Sequence, residues 1–390
     1  MNEKISILEE IVNILKMGEK QTGNSKIGLE VEHIIMDDIT GLAVPYYGEN
    51  GMEVIMSELS SDALEIHKED NRILELVFDK YTISLEPGGQ VEFSFNPFES
   101  LDVICELYKN ARQKLDEVLK NHGFHSVCQG YLPNGSVEDI DIVPKKRYLA
   151  LWELFKGTGT MGKNMMRGSA SIQFSIDYSS ENDFVNKIRL FYLLSPIIFL
   201  ITFNTIWFEG KKNKSILRRY YIWENTDGSR TGIIPGIFES DFGYKKYGEY
   251  AIDKPLYFDD GTDRSKLYLA QIYPFVRAKG NCIEVRFADS IPLKYCMAYL
   301  AVCKCIIDSE GLTKRILENL PDNEQAILEA YDSIDNNGYR ADIYGKPVVY
   351  WINWLEDEIK KYADDIQLSY MRPIKELIDC KKFIFQKEGE

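Results

Sequence analysis

Short segments in which apolar and polar residues alternate are the feature that most constrains the fold of this chain. In KIGLEVEHIIM (26–36), Ile27 and Leu29 alternate with Glu30 and Glu32, and a period of two residues predicts a half-buried strand. Successive side chains of a strand point to opposite faces, so the two glutamates lie side by side on the polar face. Neighbouring carboxylates repel each other, and this pair therefore needs a compensating positive charge.

Three further segments, 81–97, 169–178 and 281–289, alternate in the same way. Apolar residues occupy one face of each predicted strand, and acids, amides, hydroxyl groups and one cation occupy the other. These polar-face residues are Thr82, Ser84, Glu86, Gln90, Glu92, Ser94, Ser171, Gln173, Ser175, Asp177, Glu284 and Arg286. For any one strand a solvated face explains the pattern, although such faces usually mix Lys, Thr and Glu. If the strands share a sheet, the carboxylates converge on one pocket.

Helical periodicity is found between these strands and through the last part of the chain. The predicted helices cover about residues 4–18, 97–122, 181–204, 291–309, 322–334, 349–364 and 372–380. Strands and helices do not follow a regular βαβ order, which favours an α+β fold with a largely antiparallel sheet. The sequence contains no linker or internal repeat. We therefore expect one domain over residues 1–390, with a helical part at about 311–390 to which no chemistry is assigned.

The charge balance limits the partners of the chain. Its 390 residues carry a formal net charge of −15, and an acidic chain binds nucleic acid and anionic membranes poorly. The most apolar run, LFYLLSPIIFLITF (190–203), is too short to cross a bilayer and is expected to form a buried, kinked helix. We expect small-molecule substrates, no nucleic-acid or membrane partner, and a monomer or homodimer.

The cysteines and the first residues bear on the compartment. There are seven cysteines and no CxxC pair, which is typical of a reduced protein rather than a disulfide framework. The N-terminal segment has the pattern of an amphipathic helix without a cleavage site, so we expect no signal peptide. Together these features predict a cytoplasmic protein.

The converging carboxylates predict a metal site. Their mutual repulsion is tolerable only with bound cations, and oxygen ligands without His or Cys suit a hard ion, above all Mg²⁺. One Mg²⁺ ion does not need more than four carboxylate ligands, so two or three ions are expected. Because Mg²⁺ commonly shares its ligand shell with phosphate oxygens, the pattern predicts ATP as co-substrate, with metal and arginine neutralising the transferred phosphoryl group.

An acidic enzyme that binds a polyanion needs local cations. The segment 211–232 is basic, and its Arg218, Arg219 and Arg230 adjoin aromatic residues and a turn-rich stretch. Arginine offers a bidentate fork to carboxylate or phosphate, so these residues are better candidates than the neighbouring lysines, which have the pattern of solvated loop charges. Arg277 in YPFVR is another candidate.

Two competing motifs are weak. GTGTMGKN (157–164) is a near match to the phosphate-binding GxxxxGK[ST] loop, but Asn164 replaces the metal-binding hydroxyl and a strand-like segment follows. A loop near the site is the expected structure. None of the four histidines lies beyond His125, no GxSxG motif accompanies them, and the spacing of a zinc site is missing. His122 is expected at a helix end.

Six motifs carry a family resemblance. They are SLEPGGQVEFS (84–94), PKKRY (144–148), MMRGSASIQFSIDYSSE (165–181), IWENTDGSRTG (222–232), YAIDKPLYF (250–258) and YPFVRAKGNCIEVRFAD (273–289). In this order they closely resemble the plant-type glutamate–cysteine ligases, which many bacteria also carry. The similarity runs from about residue 26 to 310.

The resemblance implies a fold and an activity. The fold is glutamine-synthetase-like: a curved, mainly antiparallel sheet forms a funnel, with helices outside. The activity is the ATP- and Mg²⁺-dependent joining of the γ-carboxylate of glutamate to the amine of cysteine through an acyl phosphate, a reaction of glutathione biosynthesis. The metal ligands implied by motif position are Glu30, Glu32, Glu86, Glu92, Gln173 and Glu284.

The resemblance also implies roles for the cations. Arg286 contacts the phosphoryl group and Arg230 holds the α-carboxylate of the amino-acid substrate; with Glu284 they form the expected catalytic set. Arg219 and Trp223 are expected nearby, and Arg277 is kept as a substrate-binding candidate.

Two departures from the family pattern affect substrate selection. Plant-type members have Arg-Thr-Cys-Thr-Val-Gln where this chain begins with Gly168, so an expected arginine is missing and Arg167 is its candidate substitute. The segment between Phe258 and Tyr273 is also short. A related carboxylate–amine ligase with another acid or amine therefore stays open, as do a phosphotransferase without ligation and a non-catalytic binding protein.

Overall fold

The computed structural model describes residues 2–21 and 25–388. Thirteen strands are found in these residues. They are β1 (Ile27–Asp37), β2 (Glu65–Glu69), β3 (Arg72–Val77), β4 (Tyr81–Leu85), β5 (Val91–Phe98), β6 (Phe124–Val127), β7 (Ser171–Ile176), β8 (Trp207–Phe208), β9 (Lys211–Lys212), β10 (Val276–Lys279), β11 (Cys282–Asp289), β12 (Asp342–Ile343) and β13 (Lys346–Pro347).

Fifteen α-helices are found in the same described residues. They are α1 (Asn2–Met17), α2 (Met52–Leu59), α3 (Leu101–Asn121), α4 (Lys146–Phe155), α5 (Gly162–Gly168), α6 (Glu181–Ile201), α7 (Arg218–Glu224), α8 (Tyr244–Ile252), α9 (Arg264–Ala270), α10 (Leu293–Asp308), α11 (Glu310–Asn319), α12 (Glu324–Asn337), α13 (Val348–Ile359), α14 (Asp365–Cys380) and α15 (Ile384–Glu388). Short 3-10 helices cover Ser60–Asp62, Val137–Asp139 and Gly338–Arg340.

One nine-stranded sheet organises the molecule. Its strand order is β10-β11-β7-β1-β5-β4-β3-β2, with β6 paired to the far end of β1. Each neighbouring pair recorded in this sheet is antiparallel. The predicted α+β class with a mainly antiparallel sheet is therefore confirmed, and the four alternating segments lie on neighbouring strands at its centre.

The apolar face of the sheet is covered by long helices. Phe174 of β7 packs its ring against Phe191 of α6 and Tyr299 of α10, with ring centroids 5.3 and 5.5 Å apart. Ile27 and Leu29 of β1 are fully buried on this side. Because the side chains of a strand alternate, this packing fixes the face on which the acids of β1 lie.

Helix α6 corrects one expectation. It extends over 21 residues through Pro196 and is long and apolar enough to cross a membrane by length and composition, so the argument that the run is too short was wrong. Of its most apolar stretch, 89% is buried inside the protein. This helix therefore belongs to the hydrophobic core, as the sequence predicted.

All seven predicted helices are present, with shifted ends. The helix expected from 97 begins at Leu101, because Pro97 lies within β5 and the Ser100 hydroxyl caps the helix by accepting a bond from the Val103 amide. The helices not predicted are mostly short, and three of them, α4, α5 and α7, contribute residues to the polar face of the sheet. The single domain over residues 1–390 stays a prediction.

Candidate active site

A cavity of about 450 Å³ lies on the polar face of the sheet. Strands β1, β4, β5, β7, β10 and β11 form its floor, and residues of α4, α5 and α7 form its walls. All six residues expected to bind metal line it, together with Glu75, Lys145, Arg147, Tyr148, Trp223, Tyr273, Arg277, Lys279 and Arg286. The alternation in the sequence therefore placed the polar residues on the correct face.

Strand register explains why the carboxylates meet. Glu32 of β1 lies opposite Glu92 of β5, and Glu92 lies opposite Ser84 of β4. On the other side of β1, Glu30 lies opposite Gln173 of β7. Residues opposite each other in antiparallel strands lie about 4.5–5.5 Å apart, so acids far apart in sequence become neighbours.

A tight turn between β4 and β5 places Glu86. Gly89 in this turn has a φ of +83°, which favours glycine. A Cβ on Gly88 would lie 2.6 Å from the Cα of Arg167, so the turn presses directly on the backbone of α5. The Tyr148 hydroxyl donates to Glu86 at 3.3 Å and thereby joins α4 to the turn.

Glu32 and Glu92 form the acid side of the cavity, together with Glu30 and Glu86. Glu32 accepts hydrogen bonds from the Ser171 amide and the Gln173 side chain, each at 2.7 Å. Burial, and then the charge of Glu86, raise the pKa of Glu32 to about 7 despite opposing arginines. Burial and the other three acids raise the pKa of Glu92 well above its usual value.

Glu284 forms the opposite, basic side with three cations. Its Oε2 accepts bonds from Arg277 Nε at 2.6 Å and Arg286 Nη1 at 3.0 Å, and Lys279 Nζ lies 2.8 Å from Oε1. Burial alone would raise the pKa of Glu284, but the three cations hold it well below its usual value. Oε1 is buried and accepts no hydrogen bond of acceptable geometry. Lys279 therefore neutralises its charge, but the oxygen can still accept a further partner.

The chemistry of these donors fits a hard divalent cation. Glu92 lies among acids whose repulsion raises its pKa, and Glu284 has a buried oxygen without a hydrogen bond; both can accept a metal ion. In the part of the chain that the structure describes, no three His, Cys, Asp or Glu side chains are already grouped to hold an ion. The ligand types therefore fit a hard cation, but the carboxylates are not yet arranged around a common point.

Two arginines expected at the substrate, Arg219 and Arg230, are not among the residues that line the cavity. Arg219 is 2% exposed and donates to the carbonyl groups of Phe287 and Ala288, so it supports the end of β11. Arg230, also 2% exposed, donates to the carbonyls of Gln271 and Pro255. Neither lines the cavity. Their guanidinium groups donate hydrogen bonds to backbone carbonyls whose positions cannot be predicted from the sequence pattern.

Arg167, the candidate substitute for the arginine missing at 168, does not line the cavity. It donates to the carbonyl of Val137 and stacks on the Trp152 ring outside the cavity. A Cβ on Gly168 would lie 2.6 Å from Cζ of Tyr131. The ring of Tyr131 therefore fills the space that a side chain at 168 would need.

Trp223, Arg277 and Arg286 line the cavity as expected. The Arg286 guanidinium lies 4.8 Å from the centre of the Trp223 ring, and the indole Nε1 is buried without a partner. Sequence reasoning missed Lys279 and Arg147. Lys279 shares the polar face of β10 with Arg277, so the alternation could have revealed it, whereas Arg147 had no signal beyond its place in PKKRY.

The competing motifs are resolved by position. The 157–164 segment runs from the end of α4 into the first turn of α5 instead of joining a strand to a helix. The amides of Thr160 and Met161 donate to the Asn225 carbonyl. It is therefore not a phosphate-binding loop of that class. None of the four histidines, all of which the structure describes, lines the cavity, and His122 caps the C-terminus of α3 as expected.

Comparison with known sequences identifies the family. Residues 26–345 match the model of glutamate-cysteine ligase family 2 (GCS2). The chain is 29% identical over 342 residues to the chloroplastic glutamate–cysteine ligase of Solanum lycopersicum, covering 80% of this chain and 64% of that enzyme. It is 33% identical over 250 residues to the chloroplastic enzyme of Arabidopsis thaliana, covering 64% of this chain and 48% of that enzyme. The chain thus spans about half to two thirds of these relatives.

Solved structures agree in fold. The glutamate–cysteine ligase of Francisella tularensis in complex with AMP has a TM-score of 0.56 at 13% identity, over 92% of this chain and 82% of that one. A bifunctional glutathione synthetase from Pasteurella multocida has a TM-score of 0.51 at 13% identity, over 96% of this chain and 50% of that one. At such identity these likenesses concern the fold alone.

The relatives contradict the expected cytoplasmic location, because the curated enzymes that match are named as chloroplastic. The seven cysteines are free thiols, three of them buried in α10. The fold, the acid-lined cavity and the family match over most of the length lead to one conclusion. The chain belongs to glutamate-cysteine ligase family 2.

Proposed function

We propose that this chain is an ATP- and Mg²⁺-dependent ligase that joins the γ-carboxyl group of glutamate to the amine of cysteine. The observation that carries the proposal is the cavity in which acids and cations meet on opposite sides. Family membership and the named activity of the relatives support the choice of substrates.

The acid side is the proposed metal site. Glu30, Glu32, Glu86, Glu92 and Gln173 are its ligands, with Glu284 at the boundary to the basic side, and they would hold two or three ions. Ions held by these residues would supply positive charge to neutralise the transferred phosphoryl group. Without it, burial and the repulsion of the neighbouring acids keep the pKa of Glu92 raised, and Lys279 offsets this only in part.

The basic side is the proposed site of the phosphoryl group and the substrate carboxylates. Arg286 is kept in its place by Glu284 and by the Trp223 ring, so its guanidinium is oriented before the substrate arrives. Arg277 and Arg147 are the further cations on this side, and they take the place of Arg219 and Arg230 in the proposal.

The proposed reaction has two steps. An oxygen of the γ-carboxylate attacks the γ-phosphorus of ATP, and the bond from that phosphorus to the bridging oxygen breaks to release ADP. The cysteine amine, after losing a proton from its ammonium form, then attacks the carbonyl carbon of the acyl phosphate. The C–N bond forms as the C–O bond to phosphate breaks. The walls formed by α4, α5 and α7 would keep water from the acyl phosphate.

Phosphate release with amino acids tested singly and in pairs examines this proposal. We expect release that requires Mg²⁺, glutamate and cysteine together, with the dipeptide identified by mass spectrometry. Arg286→Lys should lower kcat about 100-fold or more, because lysine keeps the charge but loses the fixed guanidinium fork, and one preorganised donor is worth about 2.7–4 kcal/mol. A stable phosphorylated product with no free phosphate would contradict ligation and favour a phosphotransferase.

A second candidate, a related ligase with a different acid or amine, is favoured by one observation. The Tyr131 ring fills the space that a side chain at position 168, where the arginine is expected, would need. Neither Arg167 nor Arg230 lines the cavity. The same assay distinguishes the two candidates. Turnover with another acid or amine, at a higher kcat/KM than with glutamate and cysteine, would select the second.

A further inference from the structure

Lys279 lies between two of the proposed metal ligands. Its Nζ is 2.5 Å from Glu30 Oε1 and 2.8 Å from Glu284 Oε1. It is the last residue of β10, paired with Cys282 across the hairpin, and Gly280 follows it with a φ of +62°. The geometry of the hairpin therefore holds this ammonium group over the boundary between the acid and basic sides.

The two glutamates differ in how much they depend on Lys279. Glu284 also binds Arg277 and Arg286, so it keeps two cations if Lys279 leaves. For Glu30, Lys279 is the one ion-pair partner found in the described residues. The ammonium group lies within ion-pair distance of both carboxylates, and a lysine side chain is protonated at neutral pH. The bridging group is therefore a full positive charge.

A divalent ion and this ammonium cannot occupy the same place. Mg²⁺ binds carboxylate oxygens at about 2.0–2.1 Å, so an ion on Glu30 or Glu284 would lie within a few ångströms of Nζ and be repelled by it. The Lys279 side chain is 43% exposed and has a flexible four-carbon stem. It can move to solvent, whereas Arg277 and Arg286 are each 11% exposed and hydrogen-bonded.

We propose that Lys279 is an internal counter-cation that neutralises Glu30 and Glu284 in the metal-free protein and is displaced when a divalent ion binds. It thereby lowers metal affinity and keeps the empty acid side folded. This inference rests on the proposed function, since it takes Glu30 and Glu284 as metal ligands.

Metal binding to a charge-neutral variant tests the proposal. Lys279→Met is compared with the wild-type protein by titration with Mn²⁺ in the absence of nucleotide. We expect Mn²⁺ to bind about tenfold more tightly to the variant, because a repelling charge a few ångströms away is removed. Without metal, the variant should have a lower melting temperature than wild type. Addition of Mn²⁺ should raise the melting temperature of the variant by more than that of wild type.

Two further variants are the controls. Lys279→Arg keeps the charge and should bind Mn²⁺ within about threefold of wild type. Lys246→Met removes a lysine that pairs with Glu239 and Asp241 outside the cavity, and it should leave Mn²⁺ affinity unchanged.

A measurement on the wild-type protein does not depend on folding of the variant. Brief acetylation followed by mass spectrometry reports how freely each lysine reacts. Lys279 should be labelled several-fold faster with saturating Mn²⁺ than with chelator, while labelling of Lys246 stays constant.

The outcomes separate the inference from the function. If wild type binds Mn²⁺ but Lys279→Met binds it no more tightly, or if labelling of Lys279 does not rise, the inference is overturned and the proposed ligase stands. If wild type binds no Mn²⁺ with or without ATP, the metal site of the proposed function fails, and the inference fails with it.

Discussion

The acid side and the basic side of the cavity contain the same kind of residue in opposite states. Glu92 and Glu284 both lie on the polar face of one sheet, yet the pKa of Glu92 is raised and that of Glu284 is lowered. Both are strongly desolvated, so burial does not explain the difference. The neighbours do: three glutamates act on Glu92, and three cations surround Glu284.

This contrast teaches that a row of acids in a sequence does not describe one electrostatic environment. Burial of an unpaired charge is costly, and pairing offsets that cost only where the geometry is good. The charges of the basic side are therefore balanced without ligands. The acid side has excess negative charge, and a bound cation would neutralise it. The following predictions test this comparison in order of expected effect.

The largest effect is expected at the basic side. Glu284→Gln would leave Arg277, Lys279 and Arg286 without their shared anion, and breaking a buried ion pair from one side costs about 3–5 kcal/mol. Urea unfolding of the metal-free protein measures this loss. Glu249→Gln, which removes an exposed pair with Lys245, is the control and should cost less than about 1 kcal/mol. Equal losses in the two variants would refute the contrast.

The acid side should make stability depend on pH. The pKa of Glu32 is about 7 in the folded protein, against a usual 4.5, so the folded state binds the proton more tightly. Its contribution is fully present below pH 4.5 and is lost as the pH rises through 7, by about 3 kcal/mol in total. The lowered pKa of Glu284 acts in the opposite direction and only at lower pH.

The measurement is the free energy of unfolding in chelator at pH 5 and pH 8. Wild type should lose more stability across this interval than Glu32→Gln, which lacks the titrating group. If both proteins lose the same amount, the raised pKa of Glu32 would be contradicted.

A neutral residue at the acid side should stabilise the metal-free protein. Glu92→Gln removes one charge from a group of repelling acids, and we expect a gain of about 1–2 kcal/mol at pH 8. The same variant should lose most of the increase in melting temperature that Mg²⁺ and ATP give to wild type. A loss of stability without ligands would mean that Glu92 is already compensated.

The smallest effect concerns a hydroxyl group on the acid side. The Ser94 hydroxyl donates to Glu92 at 3.1 Å, and Ser94→Ala should cost about 1 kcal/mol at pH 8. Chemical denaturation measures the change, and Ser94→Thr, which keeps the hydroxyl, should restore most of it. A cost that persists in Ser94→Thr would indicate lost packing instead of a lost donor.

The sequence predicted the floor of the cavity well and its cations only in part. Alternation is a local property, so it placed Glu30, Glu92 and Glu284 on one face before their register was known. The destinations of Arg219 and Arg230 depend on carbonyl groups from distant loops, and no local pattern contains that information. Lys279 is an intermediate case. It lies two residues after Arg277 on the same strand, so the alternation predicts which face it is on but not which residues it contacts.

The contact between Gly168 and Tyr131 limits which residues these two positions can hold together. The Tyr131 ring is fixed by stacking on Phe208 and by hydrogen bonds with Glu209 and Asn164, so it cannot make room for a neighbour. A chain with tyrosine at 131 and a large residue at 168 would not pack. The two positions are therefore coupled: in this chain a side chain at 168 requires a smaller residue than tyrosine at 131.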